Sequence, residues 1–522
     1  MMRIFSAACL TIALSSNALA QDMDPTTRRA ADEGAGPFER LIIRGAIVID
    51  GTGAPPVGPT DIVIEGDRIA RVVSVGYPGL PINEEGRPGD AIYEIDATGM
   101  YVMPGFIDNH VHAGGRPKAP QAEYVYKLWL GHGITTVRGV GLGGLDWSLE
   151  QKRLSDRNEI VAPRIFAYQG PGSGEGWNGR PINTPEAARE WVRWAADEGI
   201  DGIKLRALDP PIMAALIDEA RQHGLGTVAH LDQQGVVRMT ADDAAQLGLH
   251  SMTHFYGLFE SLLGNHSIQN YPIDHNYGDE QHRFSQVARL WNQIHGPGTD
   301  EWDELIDRWI DLGFVINPTM VIYSAGRDLM RAREAEWHDE YTLPSLWEFF
   351  QPSREAHGSY WFDWTTHDEI AWRNFYGVWM DFLNQYKNEG GRVTIGTDCG
   401  YIYQTYGFCY VTEMEMLQEA GFHPMEVIRA ATLHGAEELF EPTGEPIDFG
   451  IIRPGLKADL VIVEENPLHN FKTLYGTGHL KLDDQGQPER VGGVRYTVKD
   501  GIVYDARELL ADVRNMVADA KR

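Results

Sequence analysis

The stretch Pro104-Gly105-Phe106-Ile107-Asp108-Asn109-His110-Val111-His112 constrains this chain more than any other. An apolar run, Met100 to Ile107, leads into two histidines one residue apart. On a strand, residues i and i+2 share a face, so His110 and His112 project together. Two neutral imidazoles held side by side at a strand end make half of a first-row metal site. Alone, a His-x-His pair is more often a pair of solvated or core histidines. The rest of the chain decides the matter by supplying further ligands in order.

The middle of the chain alternates strand and helix signals. Candidate strands are 101–108, 135–140, 164–168, 202–205, 227–231, 251–255, 314–318 and 392–396. Between them lie helical stretches such as Thr184–Glu198, where Thr184 caps, Pro185 takes the first helical position and Gly199 ends the helix. Thr240–Leu247 repeats the scheme, with Asp243 three residues after Thr240 and Gly248 behind it. Eight strands with helical crossovers predict an α/β fold, a (β/α)8 TIM barrel, whose chemistry sits at the carboxyl ends of its strands. The remaining ligand candidates fall at those ends: Lys204 on the fourth strand, His230 on the fifth, His254 on the sixth and Asp398 on the eighth.

Short β-branched runs with Gly and Pro turns flank this middle on both sides, around Leu41–Ile49 and Asp61–Val73 and again at Ala458–Val463, Val494–Val498 and Gly501–Tyr504. They predict one small β-sandwich domain built from both termini, residues 38–100 and 441–522 with a partly helical tail. The barrel then takes 101–440, with long insertions at 258–313 and 321–391. Ahead of both, residues 1–20 have the form of a secretory signal: Arg3, an apolar core from Ile4 to Leu14, and Ala18-Leu19-Ala20 as the cleavage site. Residues 21–37 are polar and read as a disordered leader. The expected location is periplasmic or secreted. The formal charge is −30, from 45 basic and 75 acidic residues, which argues against nucleic acid or an anionic membrane as partner. The partner is then a small-molecule or peptide substrate, and homo-oligomer formation is left open. Of the cysteines, Cys9 leaves with the signal. For Cys399 and Cys409, a disulfide beside Asp398 and a pair of free thiols both fit, and the reading leans to free thiols.

At this point the motifs resemble a known family. Pro-Gly-Phe-Ile-Asp-x-His-x-His, Gly-Ile-Thr-Thr-Val-Arg at 133–138, the strand-four lysine, Thr-Ile-Gly-Thr-Asp at 394–398 and Gly-Ile-Ile-Arg-Pro-Gly-Leu-Lys-Ala-Asp-Leu-Val-Ile-Val at 450–463 are similar to those of the amidohydrolase superfamily. The likeness is to its binuclear branch with a carboxylated lysine, the imidazolonepropionase-like and prolidase-like metal-dependent hydrolases. The chain departs from that pattern at Gly139, where an acidic residue is usual, and at Met252-Thr253-His254-Phe255, where Ile-Glu-His-Gly is usual. Both departures bear on substrate rather than on metal.

The resemblance implies two divalent metal ions, zinc by default. His110, His112 and Asp398 hold one, His230 and His254 the other, and Lys204, carrying carbon dioxide as a carbamate, bridges them. It further implies hydrolysis of an amide C–N bond in a small peptide or N-acyl amino acid by a metal-bridging hydroxide, with Asp398 moving the proton. A cyclic-amide or lactone hydrolase, or a deaminase, is the alternative on the same barrel, and a non-catalytic scaffold relative a remoter one. By strand alternation Arg206 shares a face with Lys204 and Tyr256 with His254. That makes Arg206 a candidate to grip a substrate carboxylate, with Arg138 as a further one, and Tyr256 a candidate donor to a tetrahedral oxyanion. Nine of the 14 tryptophans fall between Trp291 and Trp379. Trp372, Phe375, Tyr376 and Trp379 follow helical spacing and read as a core stripe, while 268–279 and 361–364 are candidates for an aromatic lid.

Overall fold

The computed structural model describes residues 23–522 except 265, 267, 355 and 356. The expected signal segment lies outside the described residues. The chain enters through five strands, β1 (Leu41–Val48), β2 (Val57–Glu65), β3 (Arg68–Ser74), β4 (Tyr93–Asp96) and β5 (Tyr101–Pro104). It then builds eight parallel strands: β6 (Phe106–Val111), β7 (Ile134–Val140), β8 (Arg164–Gln169), β9 (Gly202–Leu205), β10 (Gly226–Ala229), β11 (Ser251–Thr253), β12 (Val315–Asn317) and β13 (Arg392–Val393). Each pairs with its neighbour in sequence, with helices between, so the sheet curls into the barrel order that right-handed crossovers enforce. Its two edges meet beyond β13, where Asn109 N donates to Ile395 O and Asp398 N to His110 O, both at 2.8 Å. Asp108, fully buried, reinforces that seam by accepting from the amide and hydroxyl of Thr397.

The candidate strand 101–108 is in fact two. The chain breaks at Gly105, with β5 in the terminal sheet and β6 in the barrel. A Cβ at Gly105 would lie 2.0 Å from Thr135 Oγ1, so only glycine passes between the two sheets there.

The chain returns through β14 (Leu460–Val463), a hairpin of β15 (His479–Leu482) and β16 (Pro488–Val491), then β17 (Val494–Lys499) and β18 (Ile502–Asp505). β5 pairs β14 on one side and β1 on the other, which joins both ends of the chain in one sheet ordered β18-β17-β14-β5-β1-β2-β3, with β4 on β1. The sequence led us to expect a two-layered sandwich; the pairing describes a single continuous sheet of eight strands. The leader is also ordered where it is described. Asp24 N donates to Pro120 O, Arg29 N to Glu159 O, and Ala35 pairs with Val503. Backbone bonds to the barrel loops at Pro120 and Glu159 and to β18 at Val503 hold this segment as a strap, which composition alone does not reveal.

The predicted caps form. Thr184 Oγ1 accepts from Ala187 N, Thr240 and Asp243 make a capping box, and Gly199 is left-handed. In the helix Thr366–Asn388 the stripe Trp372, Phe375, Tyr376 and Trp379 is buried, as its spacing requires.

Candidate metal centre

Each predicted ligand sits at or just past the carboxyl end of a barrel strand. His110 is the penultimate residue of β6 and His112 follows the strand, Lys204 is in β9, and His230 and His254 each stand one residue beyond β10 and β11. His254 and Asp398 have φ of +66° and +53°. That left-handed backbone ends the pleat at both positions, at a local cost to a non-glycine residue.

His110, His112 and Asp398 converge, their ligand atoms lying within 4.8 Å of one another. Asp398 Oδ1 is 3.4 Å from His112 Nε2 and 3.7 Å from His110 Nε2, and its Oδ2 is 3.6 Å from His254 Nε2. Lys204 Nζ reaches the same centre, 3.3 Å from His110 Nε2. His230 stands one ring further out, its centroid 4.5 Å from that of His254, and stacks on Tyr256 at 4.7 Å.

The outer nitrogens fix the tautomers. His112 Nδ1 donates to Gly141 O at 2.8 Å. His254 Nδ1 lies 2.5 Å from Thr319 Oγ1, whose hydroxyl donates onward to Pro318 O. With that hydroxyl hydrogen engaged, His254 Nδ1 is the donor. Each ring is therefore left with a bare Nε2 lone pair aimed inward, the arrangement a metal ligand needs. The centre also holds buried polar atoms with no hydrogen-bond partner, His254 Nε2 and Asp398 Oδ1 among them. Such atoms are costly unless something satisfies them. A divalent cation fits this donor set of imidazoles and carboxylate. Burial sets the protonation in the same sense. It pushes His110 and His254 well below the ordinary imidazole value and His112 down to about 3. It raises the Asp398 carboxyl and lowers the Lys204 ammonium toward the neutral amine.

The substrate candidates separate. Tyr256 is buried at the rim of the centre, its hydroxyl 2.8 Å from that of Tyr323. Arg206 is more than half exposed and pairs with Asp232 at 3.2 Å. Arg138 does not reach the mouth as a free anchor. It is fully buried inside the barrel, donating to Asn109 O at 2.7 Å and ion-paired to Glu438, which also accepts from Asn109 Nδ2 and Thr394 Oγ1. The barrel interior already holds its counter-ion.

Cys399 and Cys409 are joined in a disulfide, so the free-thiol reading is corrected: a loop only nine residues long folds back onto the start of helix Phe408–Glu419. Trp361 is buried, Trp364 Nε1 donates to Gln281 O at 2.9 Å, and Tyr360 stacks on Phe284 at 4.2 Å. Residues absent from the sequence reading also build the site. Thr319 orients His254, Glu413 accepts from Met320 N and Val321 N to fix the turn beneath Tyr323, and Lys118 enters from the loop after His112. Only Lys118 left a trace in sequence, as a cation six residues past the His-x-His pair.

A curled eight-stranded parallel sheet with a histidine–carboxylate cluster at its carboxyl ends defines a TIM-type α/β protein with a candidate metal centre. Residues 379–501 match the amidohydrolase family. Over 152 residues it is 36% identical to adenine deaminase 2 of Rhizobium etli, covering 27% of this chain and 23% of that protein. Over 130 residues it is 34% identical to N-acyl-D-aspartate deacylase of Alcaligenes xylosoxydans xylosoxydans, covering 24% and 23%. The matched stretch thus spans about a quarter of the length of these curated relatives. In fold the chain is similar to a Xaa-Pro dipeptidase solved with methionine in its active site, at a TM-score of 0.56 and 20% identity, over 89% of this chain and 100% of that one.

Proposed function

We propose that this protein hydrolyses an amide C–N bond in a small peptide or N-acyl amino acid, using two divalent ions, zinc by default. The observation that carries the reading is the convergence of His110, His112, His254, Lys204 and Asp398, with His230 beside them, at the carboxyl mouth of the barrel. Likeness in sequence to a deacylase and in fold to a dipeptidase supports the bond class.

His110, His112 and Asp398 would hold one ion, His230 and His254 the other, and Lys204 as a carbamate would lie between them. When bound, such ions polarise a carbonyl and make water acidic enough to act as a nucleophile near neutral pH. Lys204 favours the neutral amine, which adds to carbon dioxide and loses a proton to give the anionic carbamate. Asp398 Oδ1, hydrogen-bonded to nothing else, takes the proton of the attacking water and returns it to the leaving amine. Where Tyr323 donates and Tyr256 accepts in their hydroxyl pair, the Tyr256 hydrogen is available for the oxyanion that develops. The disulfide supports the exported location read from the N-terminal segment, since such bonds persist in oxidising compartments.

Likeness to adenine deaminases favours a second reading, hydrolytic release of ammonia. Incubating metal-loaded protein with dipeptide and N-acyl amino acid libraries, and with aminopurines, separates the two. Amino acid release that chelation abolishes is the expected result. Ammonia release alone would replace the amidase reading with the deaminase one.

A further inference from the structure

Lys118 lies in the loop between β6 and the helix Ala122–Gly131, and its backbone is fixed. Lys118 N donates to Gly115 O at 2.8 Å, and Ser345 Oγ donates to Lys118 O at 2.6 Å. Gly114 makes the turn possible with φ of +101°, where a Cβ would meet Ala119 O at 2.7 Å. The loop is therefore a built feature that delivers one side chain.

That side chain is 1% exposed. Its ammonium stands 3.6 Å from the centroid of the Tyr401 ring and 5.5 Å from that of Phe349. Among the described residues it makes no hydrogen bond and no ion pair. Tyr401 is three residues beyond Asp398, and Asp398 and His112 are the ligand residues that feel the charge of Lys118. The Nζ thus lies near Asp398, almost wholly buried; burial lowers its ammonium to about 7, and an anion bound beside it would hold it charged. Two aromatic faces offset part of the cost of burying it. They leave its three donors unanswered, and a buried cation is tolerated only when paired. The other cations near the barrel have their partners: Arg138 has Glu438, and Arg206 has Asp232.

We propose that Lys118 is the specificity-determining residue that anchors a carboxylate of the substrate. The protein would then select anionic amides over neutral ones. This rests on the amide-hydrolase reading and goes further by naming the charge of the substrate and the residue that reads it.

The test compares N-acetyl-L-phenylalanine with its carboxamide on the metal-loaded wild-type protein and on Lys118→Met and Lys118→Arg. A second pair, N-succinyl-benzylamine and the corresponding succinamide, carries the carboxylate on the acyl side and tells which half of the substrate Lys118 holds. For one pair, kcat/KM should favour the acid by on the order of 10- to 100-fold, the range for a hydrogen bond to a charged group. That ratio should fall to near one in Lys118→Met and largely return in Lys118→Arg, with metal content equal in all three. Equal turnover of acid and amide by the wild-type protein in both pairs overturns the proposal, whether or not Lys118→Met folds. A ratio that survives in a folded Lys118→Met also overturns it. Should no amide be turned over, calorimetric titration with the same four compounds decides separately. Acid-selective binding lost in Lys118→Met upholds the anchor while the hydrolase reading fails, and unselective binding removes the anchor.

Discussion

At the base of the barrel Arg164 is wrapped by Asp459 and Asp500, while at the mouth Lys118 and Lys204 have no carboxylate at ion-pair distance among the described residues. The base network continues through Lys457, paired with Asp500 at 3.0 Å, and Lys499, which donates to Ser155 O and Asn158 Oδ1 at 2.7 Å. It ties β8 to the terminal sheet, and every charge in it is answered from within the chain. The mouth instead keeps Asp398 Oδ1 and His254 Nε2 buried without partners. The difference teaches where the chain is complete and where it waits for something else. Groups satisfied internally stabilise the fold, whereas groups held unsatisfied in fixed positions mark what the fold was built to bind.

The largest expected effect tests the mouth. Asp398→Asn should lower kcat by about 10²- to 10⁴-fold or more, the scale for loss of a proton-transferring group, and reduce bound metal as read by elemental analysis. Thermal stability of the metal-free protein should hold or rise, because the change removes a buried carboxyl with an unanswered oxygen. A clear fall in the melting temperature of the metal-free variant would place Asp398 with the structural charges and break the contrast.

Next comes the base. Arg164→Met removes the counter-ion of buried Asp459 and leaves Asp500 to Lys457 and Lys499, and should cost about 3–5 kcal/mol in urea unfolding, with metal content of the folded fraction unchanged. Burial raises the Asp500 carboxyl, but Arg164, Lys499 and Lys457 outweigh it and hold it well below the usual range. A depressed folded value gives stability that is full above the unfolded carboxyl value of about 3.9 and is lost as pH falls through the folded one. The gap between wild type and Arg164→Met should therefore close below about pH 4. A constant gap down to pH 3 would deny the network its electrostatic role.

The disulfide sits between these classes, since it is structural yet begins at the residue after Asp398. Cys409→Ser should cost up to about 2–3 kcal/mol, the chain-entropy limit for so short a loop. The unfolded, unreduced protein should titrate no free thiol at Cys399 or Cys409. Two reactive thiols would restore the free-thiol picture.

Much of the mouth was legible because its ligands recur at strand ends, and strand ends carry their own signals: apolar runs, capping threonines, a closing glycine. The order His110, His112, Lys204, His230, His254, Asp398 follows the barrel strand by strand. What failed depended on neighbours distant in sequence. Arg138 was read as a candidate carboxylate anchor, but Glu438, 300 residues on, makes it an interior ion pair. The break at Gly105 is dictated by Thr135, and the order of residues 23–37 by backbone partners at Pro120, Glu159 and Val503. Thr319 was invisible because its role arises from a left-handed turn, φ of +49°, that presents its hydroxyl to His254.

The smallest expected effect sharpens the contrast within the mouth itself. Arg206 and Lys118 are both cations near the metal centre, but Arg206 keeps more than half of its side chain in water and already pairs with Asp232. Solvent and salt screen such a charge, so an exposed pair contributes at most about 1 kcal/mol. Arg206→Met should therefore change kcat/KM for an N-acyl amino acid by less than about fivefold, and that change should shrink as salt is raised. The acid-over-amide preference should stay, because the buried ammonium of Lys118 is untouched by either change. Should Arg206→Met instead erase the preference at high salt as well as low, Arg206 would be a desolvated anchor in the bound state. The charge that reads the substrate would then lie at the rim, where Asp232 must release it, and Lys118 would be left as a packing element against Tyr401.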